Sequence, residues 1–368
     1  MIEAGSDWFP YGMDVHPATG NTTSLTSART TNYCMRTFEV LDWSVIVRYV
    51  MSFLCIVLSY NAISGERESG ALRLALANPL SRAQFLSGKF LAHLVTLIVA
   101  LVLGSLISLA ILALNQVLEL NGLVAINYLF FLVSAMFYIA LFLLLGMGIS
   151  AIARTSATSL VVLIMSWTVL TVVIPQTSYL IAVHVVEPPG FYWERLDEYE
   201  SQFRETMERD GVALRQPELA RTDGYALEMS YAVRLREMEG GLDRLMRDVE
   251  AQNFRQFEVT RGVNLLSPGF AFQYAVEALL GTGILRLRSF ATQANQYRGA
   301  VREFLRARDA ADPDSPHVLF VPEFMSDKPL EHGDIPRFRL QPLSFADGLA
   351  AAVVPITILI LEAAMAFF

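Results

Sequence analysis

Five apolar blocks dominate this chain, at about 43–63, 90–114, 126–150, 159–183 and 348–368. Each is close to the ~20 residues that a helix needs to cross the hydrocarbon core of a bilayer. A helix is what such a block must become, because in hydrocarbon every backbone N–H and C=O has to be paired within its own segment. With 54% hydrophobic residues gathered in this way, the chain reads as an all-α polytopic membrane protein, not as a soluble enzyme. The net charge of -8 argues against a nucleic-acid partner, which wants a basic face.

Between the first two blocks lies a polar, helix-forming stretch, Ser64 to Lys89, reading SGERESGALRLALANPLSRAQFLSGK. Glu66 and Glu68 suit the first turn of a short helix, where the helix dipole favours carboxylates, and Leu72, Ala75 and Leu76 fall on one face of it. Asn78-Pro79 ends that helix. A second helix then starts with Ser81 as N-cap, Gln84 in the capping-box position, and Leu80 with Phe85 as a hydrophobic staple. It runs straight into the second block. The expected product is a small elbow with an apolar face, held at the membrane surface and able to dock a partner.

Basic residues in the short loops set the orientation. Arg67, Arg73, Arg82 and Lys89 lie in the elbow and Arg154 in the next loop on that side, whereas loop 115–125 holds no Lys or Arg. The elbow is therefore expected in the cytoplasm. Residues 1–42 then form an extracytoplasmic tail, polar and flexible, without the basic start and apolar core of a signal peptide. Residues 43–183 form a four-helix transmembrane region carrying the elbow (64–89), 184–345 an extracytoplasmic helical domain, and 346–368 the last membrane helix. Trp43 marks one interface, with Arg48 near enough to the end to snorkel, and Pro175 predicts a kink or an exit in the fourth helix. In the outer domain the pattern predicts a hairpin of Tyr192–Arg209 with Tyr225–Thr260 and a third long helix over 287–308. Ser267-Pro268 starts a helix whose Phe270, Phe272, Tyr274, Leu279 and Leu280 suit either the membrane surface or packing within the domain. Prolines 313, 316, 322, 329 and 336 predict an extended return to the membrane.

The search for chemistry mostly excludes it. A phosphate-binding loop would need G-x-x-x-x-G-K-[ST], and Gly88-Lys89-Phe90 lacks both the first glycine, replaced by Ala83, and the hydroxyl. The five histidines, His16, His93, His184, His317 and His332, show no metal-ligand spacing. Cys55 lies in an apolar block and Cys34 in the tail, so no disulfide is expected. No catalytic, cofactor or metal residue is expected. Two intramembrane polar residues stand out as candidates, His93 and Glu362, because ionisable groups in a span are costly. Gly104-x-x-x-Ser108 and Gly146-x-x-x-Ser150 would allow close helix contact.

The run S-G-E-R-E-S-G-A-L-R-L-A-L-A-N-P-L-S-R resembles the cytoplasmic coupling segment of type-2 ABC exporter permeases, with an E-R-E-x-G core, a leucine-rich helix and an N-P-x-x-R turn. N-L-L-S-P-G-F at 264–270, A-L-L-G-T-G at 278–283 and D-I-P-R-F at 334–338 resemble signposts of the branch with a large extracytoplasmic insertion. Together these matches cover about half the chain. The resemblance implies a permease subunit in a bacterial inner membrane, non-catalytic itself. A separate ATPase, a homodimer carrying ATP and Mg, would drive it. It also implies a second permease copy or paralogue, surrounding membrane lipid, and an exported substrate; peptide, lipid, drug and metal-related cargo all fit. Carried over to this sequence, the ATPase-coupling residues are Glu66, Arg67, Glu68, Gly70, Leu72, Leu76, Asn78, Pro79 and Arg82. The family has a further N-terminal helix that has no match here; a misplaced start, a fragment or a directly translocated tail would each account for that. The competing reading is a membrane-anchored binding or signalling protein that acts through its outer helical domain.

Overall fold

The computed structural model describes residues 13–16, 20–23, 42–77, 81–116, 121–186, 192–211, 224–319, 324–331 and 333–367. Among them, five helices are long and apolar enough to cross a membrane: Trp43–Glu68, Arg82–Leu114, Gly122–Ile152, Ser156–Val185 and Phe345–Ala366. These are spans one to five, and they coincide with the five apolar blocks. The protein is a multi-pass membrane protein with the expected helical class.

Span three is the hub. Phe131, Ala135, Tyr138, Ile139 and Phe142 are buried on it, and spans one, two, four and five all pack against it. Span two instead turns Leu103, Ile107 and Ile111 outward, as a helix does when lipid tails cover its apolar side chains. Small residues let the helices close up, as their spacing predicts. Gly146 lies so near Ser59 that any Cβ there would collide with it, and a Cβ on Gly104 would stand 2.9 Å from the Trp43 ring.

Two spans are locally unwound. Span one has a π-helical turn at Ile46–Met51 and opens into a turn at 60–63 before resuming at Ser64. Span four has a π-helical turn at Val169–Val173, directly before Pro175 in the first turn of Ile174–Val185. The wider turn and the first-turn position both suit a residue that has no N–H to donate, so the helix continues past Pro175 instead of ending there.

At the end of the bundle away from the elbow, helices Tyr192–Gly211 and Gly224–Asn264 pack together, with Tyr199 against Gly241. The longer helix also runs beside Ile174–Val185, where Gln256 Nε2 donates to the Val186 carbonyl at 3.1 Å. The chain turns at 265–267, and helix Pro268–Leu280 returns among the spans, buried from Phe270 to Leu279 except for the half-buried Gln273, against spans one, three and five. Of the two placements expected for this helix, the membrane surface is excluded, and the packing it does make is against the spans more than within an outer domain. Its apolar residues lie all round, which suits enclosure by several neighbours better than a one-sided surface. A Cβ on Gly348 would stand 2.5 Å from the Ala278 carbonyl oxygen, so span five meets this helix backbone to backbone.

Helix Gly283–Ala310 carries the extended segment that follows it. Phe338 packs edge-on to Phe290 and Tyr297, and Gln293 and Gln341 exchange hydrogen bonds of 2.9 and 2.8 Å. Pro322 and His332 lie outside the described residues, as does Cys34. The tail is not wholly flexible as expected. Met13–His16 and Gly20–Thr23 pair antiparallel, Met13 opposite Thr23, and contact helices Gly224–Asn264 and Gly283–Ala310. Val15, Thr22 and Thr23 are β-branched and suit such pairing.

Candidate functional site at the elbow

The elbow forms as two short helices, Ser64–Glu68 and Ala71–Ala77, followed by the start of span two. The single first helix expected from the sequence is broken at Ser69–Gly70, because Gly70 has a φ of +77°. That left-handed conformation is one that L side chains avoid. Nothing lies within 4 Å of a Cβ placed there, so the glycine serves the backbone turn and not a close contact. The second start is as predicted: Gln84 N donates to Ser81 Oγ at 3.2 Å and Ser81 N to Gln84 Oε1 at 3.0 Å. Leu80, the other half of the expected staple, lies outside the described residues, as do Asn78, Pro79 and the side chain of Leu76.

Three consecutive residues of the elbow reach three different spans. Glu66 forms an ion pair with Lys89 of span two, whose ammonium also donates to the Ala62 carbonyl at 2.5 Å. Arg67 donates to the carbonyls of Ala151 at 2.7 Å and Ala153 at 3.0 Å, at the end of span three. Glu68 accepts from Ser156 N at 3.2 Å and Ser156 Oγ at 2.6 Å, at the start of span four. The last carbonyls and first N–H groups of a helix have no intrahelical partner. A cation at the first kind of end and an anion at the second also match the helix dipoles. Arg67 and Glu68 therefore clamp the tight 153–155 turn from both sides.

Ser150 completes the base of the elbow. Its Oγ accepts from the N–H groups of Ile63 and Ser64, both at 3.1 Å, and donates to the Tyr60 carbonyl at 2.9 Å. It thereby satisfies backbone groups freed where span one unwinds. Ser150 and Ser156 escape a sequence reading, since serine in a membrane helix is common; Ser150 showed only as half of a small-residue pair. Leu72 is partly buried, while Arg73 and Arg82 are exposed and make up the polar outer face of the elbow. The carboxylates of Glu66 and Glu68, among the residues carried over for ATPase coupling, are engaged within the chain.

The other two candidates lie apart from this clamp. His93 sits one turn beyond Lys89 on span two, partly exposed and without a hydrogen bond among the described residues. Glu362 is partly buried in span five, with Oε2 enclosed and unpartnered among the described residues.

A second polar cluster went unrecognised in the sequence. Arg48 does not snorkel; it is 2% exposed, donates to Gln273 Oε1 and to Tyr49 Oη at 3.0 Å, and lies 4.5 Å from the centre of the Phe270 ring. Tyr138 Oη donates to the Arg48 carbonyl at 2.7 Å. Gln273 passes the contact on, its Nε2 donating to Glu277 Oε1 at 2.8 Å. Burial pushes the Glu277 carboxyl up to about 7, partly offset by the Gln273 hydrogen bond and the Arg48 charge.

The elbow thus joins the ends of three spans, and a helix from the far end returns among the spans. The family model described as "ABC-2 family transporter protein" matches residues 12–368. The chain belongs to that family. Two relatives, both described as "Probable ABC transporter permease protein NosY", align to part of it. The one from Pseudomonas aeruginosa is 41% identical over 81 residues, 22% of this chain and 30% of the relative. The one from Stutzerimonas stutzeri is 41% identical over 59 residues, 16% and 21% respectively. The aligned segments thus span less than a third of the relatives' length. Among the described residues of this ABC-2 chain, no group of three or more His, Cys, Asp or Glu is arranged to hold a metal ion.

Proposed function

We propose that this chain is the transmembrane permease subunit of an ABC exporter, worked through its elbow by a separate ATPase subunit that binds ATP and Mg. The observation that carries this reading is the Glu66–Arg67–Glu68 clamp on spans two, three and four. A displacement of the elbow moves those three helix ends together, which a passive loop has no need to do. The family membership and the permeases to which it is similar support the same reading. So does the excess of Lys and Arg in the elbow, which favours a cytoplasmic elbow and extracytoplasmic far-end helices in a bacterial plasma membrane. ATP binding closes a pair of ATPases beneath two permease copies, identical or paralogous. The Gly70 joint and helix Ala71–Ala77 follow, and the clamp carries the shift into spans that exchange inward-accessible and outward-releasing states. Arg73 and Arg82 meet the ATPase, and Glu66, Arg67 and Glu68 transmit.

The test is the Arg67→Ala, Glu68→Ala double variant, purified from native membranes with its ATPase. The expected result is normal co-purification with permease-stimulated ATP hydrolysis reduced at least tenfold. Unchanged stimulation would overturn the transmission role. A wild-type chain that brings down no ATPase would favour the membrane-anchored binding or signalling reading instead.

A further inference from the structure

We propose that the cleft between the far ends of spans two and three binds one hydrocarbon chain ending in a neutral oxygen, supplied by the acyl ester of a membrane glycerolipid. The cleft encloses about 230 Å³, below the ~300 Å³ at which pockets for drug-sized ligands begin, so it suits a slender chain and not a whole compact molecule. Leu109, Leu112, Val124, Phe131 and Leu280 make its walls, and no residue that lines it is charged. Ions and charged solutes have nothing there to replace their water. Ile111, Leu123 and Ile126, each next in sequence to a lining residue, are exposed, and on spans two and three such apolar side chains meet lipid, so a chain can enter from the bilayer while the rest of the molecule stays outside.

Its few polar groups call for an oxygen. Thr282 Oγ1 is enclosed without a hydrogen-bond partner among the described residues, although Thr282 stands in the N-cap position of helix Gly283–Ala310 and could have capped it. Enclosed hydroxyls without partners are rare in folded proteins. Ser108 and Asn127 also line the cleft and make no hydrogen bond among the described residues. Ser105 and Tyr128, by contrast, are bonded to each other at 2.7 Å and close one wall. A hydroxyl and an amide N–H₂ facing one cleft suit an acceptor such as an ester carbonyl.

The experiment uses the full chain in lipid nanodiscs containing a phosphatidylethanolamine with a diazirine in its acyl chain. Adducts are mapped by peptide mass spectrometry. Expected are adducts at Leu112, Val124 and Phe131 at least fivefold above those at Leu103 and Ile107, which simply face lipid. Val124→Trp should remove the adducts at Leu112 and Phe131. Thr282→Val, nearly isosteric and therefore safe for folding, should reduce labelling at least threefold. A parallel arm with a photoreactive free long-chain alcohol separates the sources. Labelling by the alcohol but not by the phospholipid would overturn the lipid assignment. Uniform labelling along span two, or labelling indifferent to both variants, would overturn the site.

Discussion

The elbow and the Arg48 cluster are both polar constructions in an apolar protein, yet they are built on opposite terms. At the elbow, Arg67 and Glu68 are exposed and meet helix ends, whose dangling backbone groups water would otherwise satisfy. Each such contact is worth ~0.3–1 kcal/mol. The Arg48 cluster is closed to solvent, with Gln273, Tyr138 and Glu277 around it, and a charge stranded there has no water to fall back on. The elbow contacts can be remade as the spans shift; the buried ones cannot be broken cheaply. The contrast assigns movement to the elbow end and a fixed frame to the far end.

The largest effect that tests this contrast is on Arg48. Arg48→Ala removes the donor to Gln273 and Tyr49 and the cation beside Glu277, and should lower stability by ~3–5 kcal/mol, as breaking one side of a buried charged network does. Chemical unfolding in detergent measures it. A loss below ~1 kcal/mol would mean that the cluster is as soft as the elbow, and the division into frame and lever would fail.

Glu277 should make the same region sensitive to pH. Its ordinary value of 4.5 rises to about 7 in the fold. Between those values the unfolded chain has released its proton while the folded chain still holds it, so stability falls as pH rises from 4.5 to about 7 and levels off above. At about 1.4 kcal/mol per pH unit the upper bound is ~3 kcal/mol. Glu277→Gln should flatten that slope, whose size is set by burial, by the Gln273 hydrogen bond and by the charges of Arg48, Asp42 and Arg261. A slope identical in the variant would assign the pH response elsewhere.

How much of this could be read from the sequence follows from the separation of the partners. The spans and the Ser81–Gln84 capping box rest on signals within a few residues, and both appear where expected. Glu66, Arg67 and Glu68 stood out as a motif, but Ala151, Ala153 and Ser156 lie more than eighty positions away, and no local pattern points to them. Arg48 and Gln273 are 225 positions apart. The cost of an arginine within a span says that a partner must exist, not which residue it is. Helix Pro268–Leu280 was ambiguous for a different reason. Apolar residues on every side read alike on a membrane surface, in a domain core and between spans.

The smallest expected effect is the one that isolates the elbow's geometry from its contacts. Gly70 touches nothing through a Cβ, so any consequence of Gly70→Ala comes from its φ of +77°. The left-handed conformation costs a Cβ-bearing residue ~1–2 kcal/mol. The chain can absorb that cost or relieve it by swinging helix Ala71–Ala77 away from its present angle. Ser69, Ala71 and Arg73 around the joint are exposed, so relief is the cheaper course. Gly70→Ala should then leave global unfolding within ~1 kcal/mol of the wild type while reducing ATPase stimulation severalfold. Gly70→Asn should recover most of that loss, because asparagine tolerates this backbone region better than alanine. If Ala and Asn behaved alike, the angle between the two short helices would not matter to coupling. The lever would then begin at Arg67 itself, with the Gly70 joint as a mere connector.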